Sequence, residues 1–363
     1  MQDGVIRELK SLAEKSRVFL SMPWVEGLTP AILGEEGRYE VASTREVVER
    51  RHGVFRMNEA ALSPLDHGGL YGDACFEGVL VNNDQIFLYK EHIDRWWESA
   101  SKLGIEVPYT KMDLAYWILK TVQAVGFAPG ERGYLRPVMT RGFGNLGINP
   151  AKCLAPTVYC IVSTIQLYPP EAYEKGIELS VARHVRRAGR EFVDPNVKSN
   201  NYLNNISGLM ETRERGTLET MMLTLQGFVA EATADNIFLI RKEDGWEADP
   251  SRVHIFTPVK EYCLVGITRN QIIHNARANG YTLHEVPDLL PLDFVGPEKE
   301  VFLTGTGCGL MPIVAVEGIP VGAGEPGAVT RILLQSIRDD MANPEYGLSV
   351  NATREQFDRY MTR

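Results

Sequence analysis

Apolar residues in this chain gather into short runs that turn signals cut off early, and a double proline near the middle divides those runs into two groups. This punctuation constrains the fold more than any other feature, because strands of a few residues must find partners elsewhere in the chain. In the first group, residues 78–81, 86–89, 134–140 and 157–164 read as strands, while 92–103 and 111–125 carry helical spacing. The mixture predicts an α+β domain. Leu167-Tyr168-Pro169-Pro170 then reads as a linker, since consecutive prolines interrupt both helices and sheet ladders.

Beyond the prolines, 221–225, 228–232 and 237–240 are strand-like and separated by Gln226-Gly227 and Asp235-Asn236, the pattern of an antiparallel meander. Thr268-Arg269-Asn270-Gln271 has the letters of a capping box and predicts a helix start near Thr268, with Gly280 as its stop. Residues 301–303 and 313–316 are further strands, joined through the glycine-rich Gly305-Thr306-Gly307-Cys308-Gly309. At the N-terminus, Val5, Leu9, Leu12 and Phe19 fall at near-helical spacing and predict an amphipathic helix over residues 1–22.

A length of 363 residues with 44% hydrophobic and 23% charged composition suits two compact domains. The net charge of −9 and the lack of a basic tract argue against nucleic acid and favour small-molecule ligands. Cys75, Cys153, Cys160, Cys263 and Cys308 are scattered and form no C-x-x-C pair, so a reducing cytoplasm is expected, with neither a disulfide framework nor a zinc site. The N-terminal residues lack a signal-peptide core, and no apolar run reaches membrane length.

Gly142-Phe143-Gly144-Asn145-Leu146-Gly147 satisfies the letters of a dinucleotide fingerprint, but Asn149-Pro150 follows where a helix would have to start. It reads as a surface loop. The helix start at Thr268 is the better anion site, because unpaired amides and the positive dipole end meet there. The histidines have no metal-site spacing and G-x-S-x-G is absent, so metal and serine-hydrolase chemistry are disfavoured. His92 and Arg95 read by default as partly buried helix residues. Val197-Lys198-Ser199-Asn200-Asn201-Tyr202-Leu203-Asn204-Asn205-Ile206 sets asparagines, poor helix formers, just before a helical pattern. Two readings stand at this point: a helix cap with a solvated lysine, or amide side chains bonding something specific.

Taken in order, these segments resemble the fold-type IV pyridoxal-phosphate enzymes, and among them the branched-chain amino acid aminotransferases. The motifs that carry the resemblance begin with Asp66-His67-Gly68-Gly69-Leu70-Tyr71-Gly72-Asp73-Ala74-Cys75-Phe76-Glu77-Gly78, then Glu91 to Arg95, Tyr134-Leu135-Arg136-Pro137 and Val197 to Leu203. Val229 to Phe238, Gly266-Ile267-Thr268-Arg269 and Val301-Phe302-Leu303-Thr304-Gly305-Thr306 follow, so residues 54 to 340 are covered. The resemblance implies a mixed α/β architecture: a small N-terminal α/β domain, a larger C-terminal domain on a β-barrel-like sheet, and a cofactor cleft between them. The corresponding boundaries are 1–53 for an extension that is helical in part, 54–167 for the small domain and 168–176 for the linker; 177–342 would be the large domain and 343–363 a C-terminal tail.

The cofactor implied is pyridoxal 5'-phosphate, with Lys198 as catalytic Schiff-base lysine, since only an amine can condense with the cofactor aldehyde. Once the substrate amine displaces it, the freed lysine can shuttle the α-proton. Glu231 matches the carboxylate that pairs with the pyridine nitrogen, Tyr202 the tyrosine on the phenolic oxygen, and Asn236 a further cofactor-binding position. Arg95 with Ile267, Thr268 and Thr306 would hold the phosphate. Tyr71, Phe76, Tyr134 and Arg136 align with substrate-pocket positions, and the Gly307 and Cys308 amides would hold the substrate carboxylate. The loop from Gly142 to Gly147 matches one that reaches a neighbouring subunit's pocket, which implies a homodimer or higher homo-oligomer.

Leu80 stands where many branched-chain enzymes have arginine, Gly309 replaces a usual glutamate and Cys308 a small alanine. The activity expected is ping-pong amino transfer from leucine, isoleucine or valine to 2-oxoglutarate, with amino acids and 2-oxo acids as the partners. The alternatives are a D-amino acid or (R)-amine transaminase, an aminodeoxychorismate-lyase-like enzyme of the same fold, and a non-catalytic binding or regulatory member.

Overall fold

The computed structural model describes residues 2–25, 34–40, 45–164, 168–212 and 215–363, and Leu167 of the expected linker lies outside them. The chain forms two compact units, Met1–Ile165 with Val197–Asn201 and Met341–Arg363, and Gln166–Asn196 with Tyr202–Asp340.

The first unit is built on a nine-stranded sheet. Gly133–Thr140 runs antiparallel to Thr157–Ser163 and to Val79–Asn82, and Ala74–Phe76 adds to the same strand. Two helices cover it. Lys111–Val125 is capped by Thr110, whose side chain accepts from the Asp113 amide, and ends at Gly126 with φ 66°. With Tyr89–Lys102 it buries Ile93, Trp96, Leu114, Ile118 and Leu119 against the sheet. The C-terminal residues belong to this unit as well: Gly347–Ser349 pairs with Gln85–Phe87, and the helix Arg354–Met361 sends Phe357, Tyr360 and Met361 into the core.

The N-terminal helix is shorter than its apolar spacing suggests. It spans Gln2–Lys15, and Phe19 lies instead in the strand Arg17–Pro23, which pairs with Val47–Arg56 and with Thr157–Ser163. Phe19 is fully buried and stacks on Trp117, so partner strands on both sides override a local spacing that fits a helix equally well.

The second unit carries another nine-stranded sheet. Glu219–Leu223 and Val229–Ala232 form the antiparallel pair expected, but the meander stops there. Asn236–Lys242 pairs with Lys299–Gly305 and Val253–Pro258, not with Val229–Ala232. The turn between them is tied down by Asp235, whose carbonyl accepts from the Ala232 amide. Pro170, expected in a linker, is the first residue of the helix Pro170–Lys175, where a missing N–H costs nothing. No helix among the described residues is long and apolar enough to cross a membrane.

Candidate active site

In the first unit, three ionisable groups lock together in the sheet-helix core. His92 and Arg95 lie one turn apart on Tyr89–Lys102, and both reach Glu77, which follows the strand Ala74–Phe76. Glu77 Oε1 accepts from Arg95 Nε at 2.6 Å, and Oε2 accepts from Arg95 Nη2 and His92 Nδ1, each at 2.8 Å. Glu77 is fully buried; burial raises its pKa, but the Arg95 charge and the bonds from His92 and Arg95 outweigh that and hold it well below the carboxylate range. Burial first, then the charges of Arg95 and Lys198, push His92 down against the pull of Glu77. The ring is therefore a neutral donor to Glu77 near pH 7.

Lys198 is fixed at its backbone. Its amide donates to Ser99 Oγ at 3.3 Å and its carbonyl accepts from the Phe76 amide at 2.9 Å. The Lys198 Nζ stands 4.8 Å from the centroid of the Phe76 ring, and Arg136 Cζ is 4.7 Å from that same ring. Arg136 Nη2 donates to Tyr134 Oη at 3.2 Å. Gly78 is required beside this pair, since a Cβ there would lie 1.9 Å from Tyr134 Oη. Leu80, fully buried, is the cross-strand partner of Tyr134. Tyr71 is a little further along, its hydroxyl donating to the Leu146 carbonyl of the glycine loop, while His67 Nε2 lies 2.9 Å from the Asn145 carbonyl. That loop begins no α-helix, as its Asn-Pro sequence requires.

The second unit holds the other predicted residues. Glu231, on Val229–Ala232, is buried and held by three donors: Arg187 Nε at 2.5 Å on Oε1, and Asn236 Nδ2 at 3.2 Å and the Leu264 amide at 3.1 Å on Oε2. Burial lowers the Arg187 pKa, but Glu231 more than compensates and leaves it raised. Asn236 also packs on Gly266, where a Cβ would meet its Oδ1 at 2.1 Å.

The helix expected to start near Thr268 does so, but Gly266 corrects its cap. The helix spans Ile267–Ala278 with Gly266 as N-cap and no side-chain cap, so Thr268 is inside the first turn rather than at its cap. Gln271, the other half of the supposed capping box, donates to Asp340 Oδ2 instead. The correction improves the anion site, because the Ile267 and Thr268 amides have no competing cap oxygen. Thr306, Gly307 and Cys308 form the turn between Lys299–Gly305 and Gly309–Val316, and Asn236 is the cross-strand partner of Thr304. Gly309 has φ 69°, a conformation that closes a three-residue hairpin turn and favours glycine. Cys308 is buried, and burial with the neighbouring Asp235 pushes its thiol far above the usual range, so it is not a reactive thiolate.

Tyr202 precedes the helix Leu203–Thr212. Two of the asparagines beside it bond backbone: Asn204 Nδ2 donates to the Arg186 carbonyl at 3.0 Å and Asn205 Nδ2 to that of Thr233 at 2.6 Å. Their purpose is thus to tie the helix start to neighbouring segments. The site residues therefore fall into two groups: Lys198, Arg95, Phe76, Tyr71, Tyr134 and Arg136 in the first unit, and Tyr202, Glu231, Asn236, Ile267, Thr268, Thr306, Gly307 and Cys308 in the second. Sequence reasoning missed Glu77 and Arg187 as their partners: Glu77 is a lone charge in an apolar run, and Arg187 is one of several arginines between 183 and 190 that the sequence does not tell apart. Among the described residues, no cluster of His, Cys, Asp or Glu could hold a metal ion.

The model of the family "Amino-transferase class IV" matches residues 74–316. The "putative branched-chain-amino-acid aminotransferase" of Methanocaldococcus jannaschii is 35% identical over 77% of this chain and 91% of its own length. The branched-chain-amino-acid aminotransferase of Pseudomonas aeruginosa is 30% identical over 79% and 90%. The T.th. branched-chain amino acid aminotransferase, solved with pyridoxamine 5'-phosphate, superposes with a TM-score of 0.72 at 27% identity, covering 87% of this chain and 97% of that one. With two thirds of its length matched by the family model and relatives this similar over most of theirs, the chain belongs to the class IV aminotransferases, enzymes of fold-type IV.

Proposed function

We propose that this protein is a pyridoxal 5'-phosphate-dependent branched-chain amino acid aminotransferase that moves amino groups from leucine, isoleucine or valine to 2-oxoglutarate. The observation that carries the reading is the placement of Lys198: a backbone-fixed lysine whose ammonium stands over Phe76, beside the buried Glu77–His92–Arg95 cluster. The names of the relatives at 30–35% identity support the same substrate class. The cofactor fits the residues present. The helix start at Ile267 has no side-chain cap on its first amides, and Glu231 is a fixed carboxylate of the kind a pyridinium nitrogen requires.

In this reading Lys198 anchors the cofactor. Arg95, the Ile267 and Thr268 amides and Thr306 hold its phosphate, Glu231 pairs with its ring nitrogen, Asn236 keeps Glu231 in place, and Tyr202 bonds its phenolic oxygen. When bound, the cofactor supplies an aldehyde that condenses with amines and a ring that withdraws electrons from the substrate α-carbon. The Lys198 Nζ would be the base that takes the substrate α-proton and the acid that gives it back. Arg95 enters already oriented, because Glu77 holds its Nε and Nη2 edge. Tyr71, Phe76, Tyr134 and Arg136 line the substrate side, and the Gly307 and Cys308 amides receive the carboxylate.

The protein works as a homodimer or larger homo-oligomer in the cytoplasm. Leu146 in the glycine loop and Ile148 just after it, 73% and 80% exposed, support an intersubunit role, and five unbridged cysteines support a reducing compartment. The test is a half-reaction: holoenzyme mixed with L-leucine, D-alanine or (R)-1-phenylethylamine, following the visible absorbance of the lysine-bound cofactor. Leucine bleaches it, and Lys198→Ala abolishes turnover while retaining weak cofactor binding. Bleaching by the D-amino acid or the amine, and not by leucine, would overturn the branched-chain assignment.

A further inference from the structure

The turn Thr306-Gly307-Cys308 rests on a buried carboxylate. Asp235 lies beneath it, so close that a Cβ on Gly305 would be 1.8 Å from Asp235 Oδ1. The Cys308 thiol donates to that oxygen at 3.5 Å, and the Tyr168 hydroxyl approaches Oδ2 at 3.5 Å. All of this lies inside the second unit, with Asp235 and Cys308 7% and 4% exposed. The Gly305 and Gly309 carbonyls are weaker competitors for the thiol, 3.6 and 3.8 Å away and uncharged. The turn closes through the Gly305–Gly309 pair, and the buried Cys308 side chain ties its apex to the sheet through Asp235.

We propose that Asp235 and Cys308 are positioning residues, a thiol–carboxylate clamp that fixes the turn so that its Gly307 and Cys308 amides meet the α-carboxylate of the substrate. This rests on the function proposed above and adds to it the pair of side chains that set carboxylate affinity. Cys308 acts only as a donor, because burial and Asp235 keep its proton in place. The burial of Asp235 keeps bulk water from replacing the thiol. An amide pair free to drift by a fraction of an ångström binds a carboxylate less well, while the lysine and ring-binding residues are unaffected.

The experiment compares two inhibitors in the holoenzyme: 4-methylvalerate, which offers a carboxylate and no amine, and 3-methylbutylamine, which offers an amine and no carboxylate. In Cys308→Ala and Asp235→Asn, the inhibition constant for 4-methylvalerate rises about tenfold, the factor one hydrogen bond commonly represents. KM for L-leucine and for 2-oxoglutarate rises with it, because both carry an α-carboxylate. The constant for 3-methylbutylamine and the cofactor absorbance stay within about threefold, and Cys308→Ser, which keeps a donor, restores carboxylate affinity. Unchanged 4-methylvalerate inhibition in both variants, or an equal loss for both inhibitors, would overturn the clamp while leaving the aminotransferase reading intact. Wild-type protein that fails to transaminate leucine would overturn that reading, and the clamp with it.

Discussion

Replacing Glu77 with glutamine tests how far Arg95, proposed above to hold the cofactor phosphate, depends on the carboxylate bonded to it. Glu77 accepts three short hydrogen bonds, two from Arg95 and one from His92, and it is completely buried, with the Arg95 and His92 side chains only 13% and 1% exposed. Removing one partner of such a pair leaves a buried charge uncompensated, which costs about 3–5 kcal/mol. Glutamine preserves the shape and one acceptor oxygen, which places Glu77→Gln near the lower end, about 3 kcal/mol. Its amide also turns a donor toward either Arg95 or His92, and His92 can relieve that only by changing tautomer. Urea unfolding of the apoprotein at pH 7 gives the stability loss, and cofactor titration gives an affinity loss of about tenfold. Since folding depresses the Glu77 pKa, its contribution is full above the unfolded value of about 4.3 and disappears only as acid reaches the depressed one. Wild type and variant therefore converge in stability at strongly acid pH. A loss under about 1 kcal/mol at pH 7, with cofactor affinity unchanged, would refute the argument that this cluster holds Arg95 in place.

Glu219 has the opposite sign: burial and the Asp235 charge push its pKa up to about 7, so its contribution is present below the unfolded value and is lost as pH rises through 7. Glu219→Gln is expected to gain up to about 3 kcal/mol over wild type between pH 5 and pH 8.5, read by denaturation at each pH, and a pH-independent difference would count against it. Gly78→Ala sets a methyl 1.9 Å from Tyr134 Oη, which must move and take its bond from Arg136 with it. The expected result is a KM for 2-oxoglutarate raised about tenfold with the melting temperature within a few degrees of wild type; an unchanged KM would mean that Tyr134 and Arg136 do not meet the substrate.

Residues proposed for a chemical task could be named from the sequence by motif, whereas the groups bonded to them could not, and the reason is the range of the contacts. Thr110 and Gly126 bracket the helix Lys111–Val125 with signals read inside the segment itself, so its bounds follow from local pattern. Phe19 has no such bracket; its strand exists because Val47–Arg56 and Thr157–Ser163 lie on either side of it. The meander expected from Gln226-Gly227 and Asp235-Asn236 fails for the same reason. A turn signal marks where the chain reverses and says nothing of which strand Asn236–Lys242 joins afterwards. The helix start expected near Thr268 is found at Ile267, and the local pattern misleads only about its cap: Gly266 is the N-cap and Gln271 bonds Asp340, 69 residues away. Glu77 and Arg95 are 18 residues apart and Arg187 and Glu231 are 44 apart, distances at which no periodicity links one to the other. A lysine or arginine with its own chemistry can be found by type and motif. The carboxylate that aims it becomes visible only when the fold brings the two together, and that is why Glu77 and Asp235, rather than Lys198, are the residues the structure adds.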